Sequence, residues 1–159
     1  MKEKVYKCSF KHCQHESCEV LQGEAVLVGK RHMHKDCSEI SENIANIRDL
    51  YYEKISNTVV IKQLVSVINN LVFKKNIDAG YILFALNHAI VAKIPIKSPY
   101  GLHYLVDNKR IKDLWNKKQA EKVVAKMKEE MLESPNKPDV DEAKFNYIAE
   151  EKSGFGDIF

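Results

Sequence analysis

The chain has 159 residues, of which 45% are hydrophobic and 30% are charged, and its formal net charge is +3. These values are typical of a soluble globular protein with one domain, or with one domain and a small appended module. No apolar run approaches the ~20 residues that a membrane-spanning helix needs, so we expect no integral membrane protein.

The net charge conceals an uneven distribution. Residues 133–159 carry −4, so residues 1–132 carry +7. A basic body with an acidic tail is common in proteins that handle nucleic acid, although plain solvated proteins show it too. The charged N-terminus lacks the apolar stretch of a secretory signal, so we expect a cytoplasmic protein with reduced cysteines.

All four cysteines and four of the six histidines lie within residues 1–37. Cys8 and Cys13 form one closely spaced pair, and His34 and Cys37 form another. Zinc prefers four tetrahedral sulfur or nitrogen ligands, and a short loop can present two of them to one ion. We therefore predict one zinc ion bound by these four residues. Four ligands leave no open position for a catalytic water, so the ion is expected to be structural.

Two alternatives remain for this segment. Cys18 lies close enough along the chain to replace one of the four ligands, or all the cysteines are reduced and unliganded. Size argues against the second alternative, because fewer than ~40 residues rarely order themselves without a metal or a disulfide. We expect His12, His15 and His32 to lie at the surface or beside the ligands.

Residues 20–28 predict a hairpin or paired strands. β-branched residues flank Gly23 and Glu24, and Gly29 supplies a second turn.

Helical signals begin near Asp36. Asp36 or Ser38 is expected to cap a first helix that ends near residues 56–57. Its apolar stripe has helical spacing and consists of Ile40, Ile44, Ile47, Leu50 and Tyr51. Thr58 is the expected cap of a second helix, which ends at residues 74–76.

Asp78 is the expected cap of a third helix, which is apolar almost all round and so predicts the centre of a bundle. The prolines of residues 94–99 exclude a helix and indicate a linker. Ser98 and Pro99 predict the start of a short fourth helix. Asp107 or Asn108 then begins a long charged helix, which stops before residue 134.

The predicted fold class is therefore mainly α. We expect a zinc-bound β knuckle at residues 1–40, a helical bundle at 41–133 and a flexible acidic tail at 134–159.

The sequence contains no arrangement of nucleophile and base, no paired carboxylates at helical spacing and no phosphate-binding glycine loop, so we expect no enzyme. His88 and His103 are interpreted as core histidines with satisfied hydrogen bonds.

Basic residues form several clusters that can neutralise phosphates if they share a face. The predicted nucleic-acid-binding residues are Lys30, Arg31, Lys74, Lys75, Lys109, Arg110 and Lys112. A solvated helix face is the alternative for such lysines. Tyr100, Tyr104 and Trp115 have the chemistry to stack on bases, although we expect them in the core.

Three resemblances add to these predictions. Residues 24–37, which end in His-Met-His-Lys-Asp-Cys, resemble the second half of treble-clef zinc fingers, whereas the first cysteine pair has a gap of four residues where most such fingers have two. Residues 58–116 resemble the helical part of small phage proteins with an N-terminal zinc knuckle. The pattern Ile-x-x-Pro-x-Gly-Leu-x-Tyr, which ends at Tyr104, is similar to helical modules of replisome organisers and helicase loaders.

The acidic C-terminus resembles the protein-recruiting tips of bacterial single-stranded-DNA-binding proteins, without their proline. The residues of this predicted docking tail are Phe155, Asp157, Ile158 and Phe159.

Together these features predict a non-enzymatic, zinc-binding accessory protein of phage type. It would bind nucleic acid, or a complex that replicates or recombines DNA, in the host cytoplasm. The alternative is a protein-directed adaptor or inhibitor of a host nucleic-acid enzyme, which would use the same basic face or the tail to bind its partner.

Overall fold

The computed structural model describes residues 4–133. As predicted, the protein is mainly helical and has a small β region near the N-terminus. The strands are β1 Val5–Lys7, β2 Glu19–Leu21, β3 Val26–Val28 and β4 Arg31–Met33. The helices are α1 Lys35–Lys54, α2 Ile61–Asn69, α3 Ala79–Val91, α4 Gly101–Asp107 and α5 Lys109–Glu133.

Among these described helices, none combines the length and the apolar character needed to cross a bilayer.

The β region consists of two antiparallel sheets of two strands each. β1 pairs with β2, and β3 pairs with β4 through the predicted turn at Gly29, whose φ of +64° favours glycine. The prediction that residues 20–28 pair with one another is wrong, because β2 and β3 lie in different sheets. The carbonyl of Leu21 accepts hydrogen bonds from the N–H groups of both Glu24 and Ala25, which coils the chain away from β2.

Two of the predicted helix caps are confirmed. The Asp78 carboxylate accepts hydrogen bonds from the N–H groups of Gly80 and Tyr81 at the start of α3. The side chain of Asn108 accepts from the N–H group of Arg110 at the start of α5, 3.0 Å away. Both caps satisfy N–H groups that a helix leaves without a partner.

Two other cap predictions are wrong, because the helices do not begin at the proposed residues. α1 begins after His34 rather than at Asp36 or Ser38, and α2 begins after Val60, two residues past Thr58. The hydroxyl of Thr58 instead meets that of Ser56 at 3.1 Å.

The start of α4 is also later than the prediction. Ser98 forms a turn in which its carbonyl accepts the N–H group of Gly101, so the regular helix starts at Gly101. The preceding linker is non-helical, as its prolines predict.

One hydrophobic core unites the helices. Its fully buried side chains, each 0% exposed, include Ile47 and Tyr51 of α1, Leu64 of α2, and Ile82 and Leu86 of α3. α1 packs against α3, as the apolar sequence of α3 predicts for a central helix.

After α2 the chain continues into a π-helical turn, Asn70–Lys74, which places Leu71 and Val72 in the same core. The helical periodicity of the sequence did not predict this change from an α-helix to a π-helix.

The described residues divide into two units, with the boundary between Ala120 and Glu121. The described part of the second unit is the C-terminal end of α5, where Lys126 and Glu130 form an exposed ion pair. The predicted boundary between residues 40 and 41 falls inside α1. The predicted acidic tail lies outside the described residues.

Candidate metal centre

The four predicted zinc ligands come from three parts of the N-terminal region. Cys8 follows β1, and Cys13 lies in the loop that leads to β2. His34 follows β4 directly, and Cys37 lies in the first turn of α1. The β3–β4 hairpin and the start of α1 therefore place His34 and Cys37 next to the two cysteines of the first pair.

The side chains of these residues converge on one point. Their ligand atoms, three Sγ and one imidazole nitrogen, all lie within 4.8 Å of one another. The Nδ1 atom of His34 is 3.6 Å from Sγ of Cys13 and 3.9 Å from Sγ of Cys37. Cys8 and Cys37 are buried, and the other two are half-buried. This cluster can hold one metal ion.

The orientation of His34 suits a metal ligand. Its Nε2 atom lies 3.0 Å from the carbonyl oxygen of Glu19, to which an Nε2–H group donates. That hydrogen bond leaves the lone pair of Nδ1 facing the sulfurs, and metal-binding histidines are typically held in this way.

His15 covers the outer side of the His34 ring. The two rings stack with their centroids 3.7 Å apart. Nε2 of His15 pairs with the carboxylate of Asp36 at 2.9 Å. His15 and Asp36 thereby hold His34 in place.

The thiols differ in acidity. Burial opposes ionisation of Cys8, yet hydrogen bonds from the backbone N–H groups of Phe10 and His34 lower the pKa of its thiol to about 7. Burial raises the pKa of the Cys13 thiol and, with the neighbouring sulfurs, that of Cys37. Ionised sulfurs this close repel one another, and a divalent cation between them would remove the repulsion.

The pKa of His34 is also raised. Burial favours the neutral imidazole, but the Glu19 carbonyl and the Cys8 thiolate outweigh it.

Cys18, the alternative ligand, is not part of the four-residue cluster. Its thiol donates to the carbonyl oxygen of His15, with Sγ 3.4 Å away. Its backbone carbonyl accepts the N–H group of Cys8 at 2.7 Å, and its φ of +48° is unusual for a residue with a side chain. Cys18 therefore shapes the loop between the cysteines.

The cluster is attached to the helical core by aromatic contacts. The ring of Phe10 lies 6.0 Å from that of Phe73, and His12 stacks on Phe73 with the centroids 3.9 Å apart. Within the β region, the rings of His32 and Tyr6 stack with their centroids 3.8 Å apart. Thus each histidine that was expected near the ligands has an aromatic partner.

The seven predicted nucleic-acid-binding side chains are all exposed. They lie on three elements. Lys30 and Arg31 lie in the β3–β4 hairpin, and Lys74 and Lys75 lie at the end of the π-helical turn. Lys109, Arg110 and Lys112 lie in the first turns of α5.

The expectation that the three aromatic residues lie in the core is wrong for two of them. Tyr100 is 55% exposed and Tyr104 is 82% exposed, because leucine and valine side chains fill the buried side of α4. Trp115 does pack inward, with its ring 5.9 Å from that of Tyr81 and 5.3 Å from that of Phe84.

The two histidines of the helical body also differ from expectation. His88 is half-buried and its ring is parallel to that of Phe84, at 6.4 Å. Nδ1 of His103 is buried and has no hydrogen-bond partner among the described residues, because the buried positions around it on α4 are apolar. The prediction of a satisfied histidine is therefore wrong for His103.

The predicted docking tail, Phe155, Asp157, Ile158 and Phe159, lies outside the described residues. The sequence interpretation missed Glu19, which acts through its carbonyl and so leaves no signal in the side-chain pattern. It left His15 among several candidates, since only the fold brings that ring to His34.

No protein-family model, no curated protein and no solved structure matches this chain.

Proposed function

We propose that this chain is a non-enzymatic, zinc-binding accessory protein of phage type. A treble-clef-type finger holds one structural zinc ion, and the basic helical body binds nucleic acid or a complex that processes it. The observation that carries the proposal is the convergence of Cys8, Cys13, His34 and Cys37 beside a helical body of net positive charge.

Zinc is the metal that best fits this donor set. Three sulfurs and one imidazole nitrogen form a common structural zinc site, whereas magnesium and calcium prefer oxygen ligands. The hydrophobic cluster around the site contains only Met33 besides Cys8 and Cys37 as buried members. Such a cluster is too small to order the segment, so the ion supplies the missing stability.

The order of elements supports the treble-clef assignment. A loop with two cysteines comes first, a hairpin follows, and the second ligand pair opens a helix. The four-residue gap between Cys8 and Cys13 is the departure from most such fingers.

Charge supports nucleic acid as the partner. Residues 54–106 contain six lysines, all exposed, and one acidic residue, Asp78, whose carboxylate caps α3. A surface with so little negative charge attracts phosphates at long range.

A protein-directed adaptor or inhibitor of a host nucleic-acid enzyme is the second candidate. The same lysines fit an acidic protein groove. The exposure of aliphatic side chains favours this alternative, since Val91 is 82% exposed and Leu114 is 44% exposed.

Elemental analysis of the purified protein tests the metal site. We expect one zinc per chain in the wild type and in Cys18→Ser. In Cys37→Ser a thiolate ligand is missing, so its zinc content should be lower, and a competing chelator should show at least a tenfold loss of affinity. A wild type without stoichiometric zinc, or equal loading of the two variants, contradicts the proposal.

Fluorescence anisotropy with labelled single- and double-stranded oligonucleotides tests the partner. If four phosphates are neutralised, affinity for a single strand should fall about fiftyfold between about 50 mM and about 200 mM salt. Absence of binding at the lower salt concentration rejects nucleic acid and leaves the protein-directed candidate.

A further inference from the structure

An exposed aromatic groove lies where the linker meets α4. Its volume is about 340 Å³, and Ile94, Lys97, Tyr100 and Tyr104 are among the residues that line it. We call these four residues the tyrosine groove. Ile94, Tyr100 and Tyr104 are all exposed in this one groove, and contiguous exposed apolar side chains often mark a binding site.

The two tyrosines present their rings on one side of the chain. Tyr100 directly precedes α4 and Tyr104 lies four residues later, a spacing that places side chains one turn apart on the same face. A Cβ atom on Gly101 would come within 2.9 Å of Cγ2 of Ile96, so glycine lets the linker approach α4 and form the groove wall.

The charged residue that lines the groove is a lysine, Lys97. Residues 79–106 contain no aspartate or glutamate, and Lys93 and Lys97 are both exposed. This charge matches phosphate rather than a basic partner.

Lys93 occupies a position that favours glycine. Its φ is +53°, and its N–H group bonds to the carbonyl of Ile90 while that of Ile94 bonds to Ala89, the pattern of a Schellman helix end. Glycine would adopt this conformation without strain. A lysine at this position costs stability, and such strained residues are common at functional sites. Lys93 is exposed and directly precedes Ile94 of the groove.

We infer that the tyrosine groove binds single-stranded nucleic acid, with bases stacked on Tyr100 and Tyr104 and phosphates neutralised by Lys93 and Lys97. The inference deepens the proposed function, on which it rests, by naming the surface and the strandedness of the ligand. Single strands expose base faces that a duplex keeps stacked internally. Lys97 in the groove favours a ligand with phosphates over a basic or uncharged peptide.

Anisotropy with a fluorescein-labelled oligothymidylate tests the stacking. Each tyrosine-to-alanine change should weaken binding between about 5-fold and about 150-fold, the range that corresponds to loss of one stacked base. Tyr100→Phe and Tyr104→Phe should bind within about twofold of the wild type, because a phenyl ring stacks as well. Tyr52→Ala is the matched control, since Tyr52 is 40% exposed on α1, outside the groove.

The Lys93→Gly variant tests the charge with two readouts of opposite sign. Its melting temperature should rise by about 3 °C, because the strained backbone is relieved. Its affinity at about 0.1 M salt should fall about fivefold, and the salt slope should decrease by about 0.7, the effect of one lost phosphate contact on a single strand. Lys97→Gln should lose similar affinity without the gain in melting temperature.

Different results separate this inference from the proposed function. If the wild type binds oligonucleotides and the double variant Tyr100→Ala/Tyr104→Ala binds equally well, the groove assignment is overturned and the proposed function stands. If the wild type binds duplex more tightly than a single strand, the groove assignment is likewise overturned and the proposed function stands. If the wild type binds no oligonucleotide at low salt, both fail, and binding of an acidic peptide at the groove would identify a protein ligand instead.

Discussion

Two buried tyrosines of the helical core differ in the surroundings of their hydroxyl groups. Tyr51 is 0% exposed, and its hydroxyl has no hydrogen-bond partner among the described residues. Tyr81 is 6% exposed and donates to the carbonyl oxygen of Val106 at 2.9 Å. A buried hydroxyl without a partner costs ~1–3 kcal/mol, so the two residues should respond oppositely when it is removed.

We expect Tyr51→Phe to raise the free energy of unfolding by about 1 kcal/mol, because it removes a buried hydroxyl that forms no hydrogen bond with the described residues. Tyr81→Phe should lower it by about 1–2 kcal/mol, because the Val106 carbonyl loses its buried donor. Urea denaturation of the two variants and the wild type measures both changes. A stabilised Tyr81→Phe, or a Tyr51→Phe that loses more stability than Tyr81→Phe, would contradict this interpretation.

At the scale of elements, the helix starts show that residue type alone does not make a cap. Asp78 and Thr58 each precede an apolar helix, and both residue types are favoured caps. Asp78 lies immediately before α3 and bonds to two of its N–H groups. Thr58 lies two residues too early, since α2 begins after Val60, so its side chain bonds elsewhere.

Alanine at these two positions should therefore have unequal effects. Asp78→Ala should lower the free energy of unfolding by about 1 kcal/mol, because the first N–H groups of α3 lose their acceptor. Thr58→Ala should change it by less than about 0.5 kcal/mol, as is usual for an exposed side chain. Asp78→Asn retains a capping oxygen and serves as the control. Thermal or urea unfolding gives all three values, and equal losses at both alanine positions would refute the assignment.

At the scale of residues 4–120, two hydrophobic clusters of unequal size stabilise the chain. The larger one joins buried residues from all five helices. The smaller one contains Cys8, Met33 and Cys37 as its buried members. The larger cluster can stay ordered by itself, whereas the smaller one depends on whatever its sulfurs bind.

Removal of the proposed zinc ion should therefore act locally. With a chelator, the amides of residues 5–33 should lose hydrogen-exchange protection by at least tenfold, while those of α3 keep theirs. Cys18→Ser should behave like the wild type, because Cys18 is outside the four-residue cluster. Unfolding of the entire chain, or unchanged protection of residues 5–33, would show that the ion does not have this role.

The sequence by itself determined what depends on neighbours along the chain. Helical spacing identified the helices, the prolines identified the linker, Gly29 marked a turn, and Asp78 marked a helix start. The spacing of the cysteines with His34 identified four residues that the structure brings together. These signals are short-range, because turns, caps and paired ligands are formed by residues close in sequence.

Only the tertiary structure decided what depends on distant parts of the chain. β2 pairs with β1 rather than with β3, and Tyr100 and Tyr104 face solvent. The carbonyl of Glu19 orients His34 across the fold. Each outcome depends on which strand edge, apolar side chain or polar atom is nearest in space, and such proximity is set by the packing of the whole core.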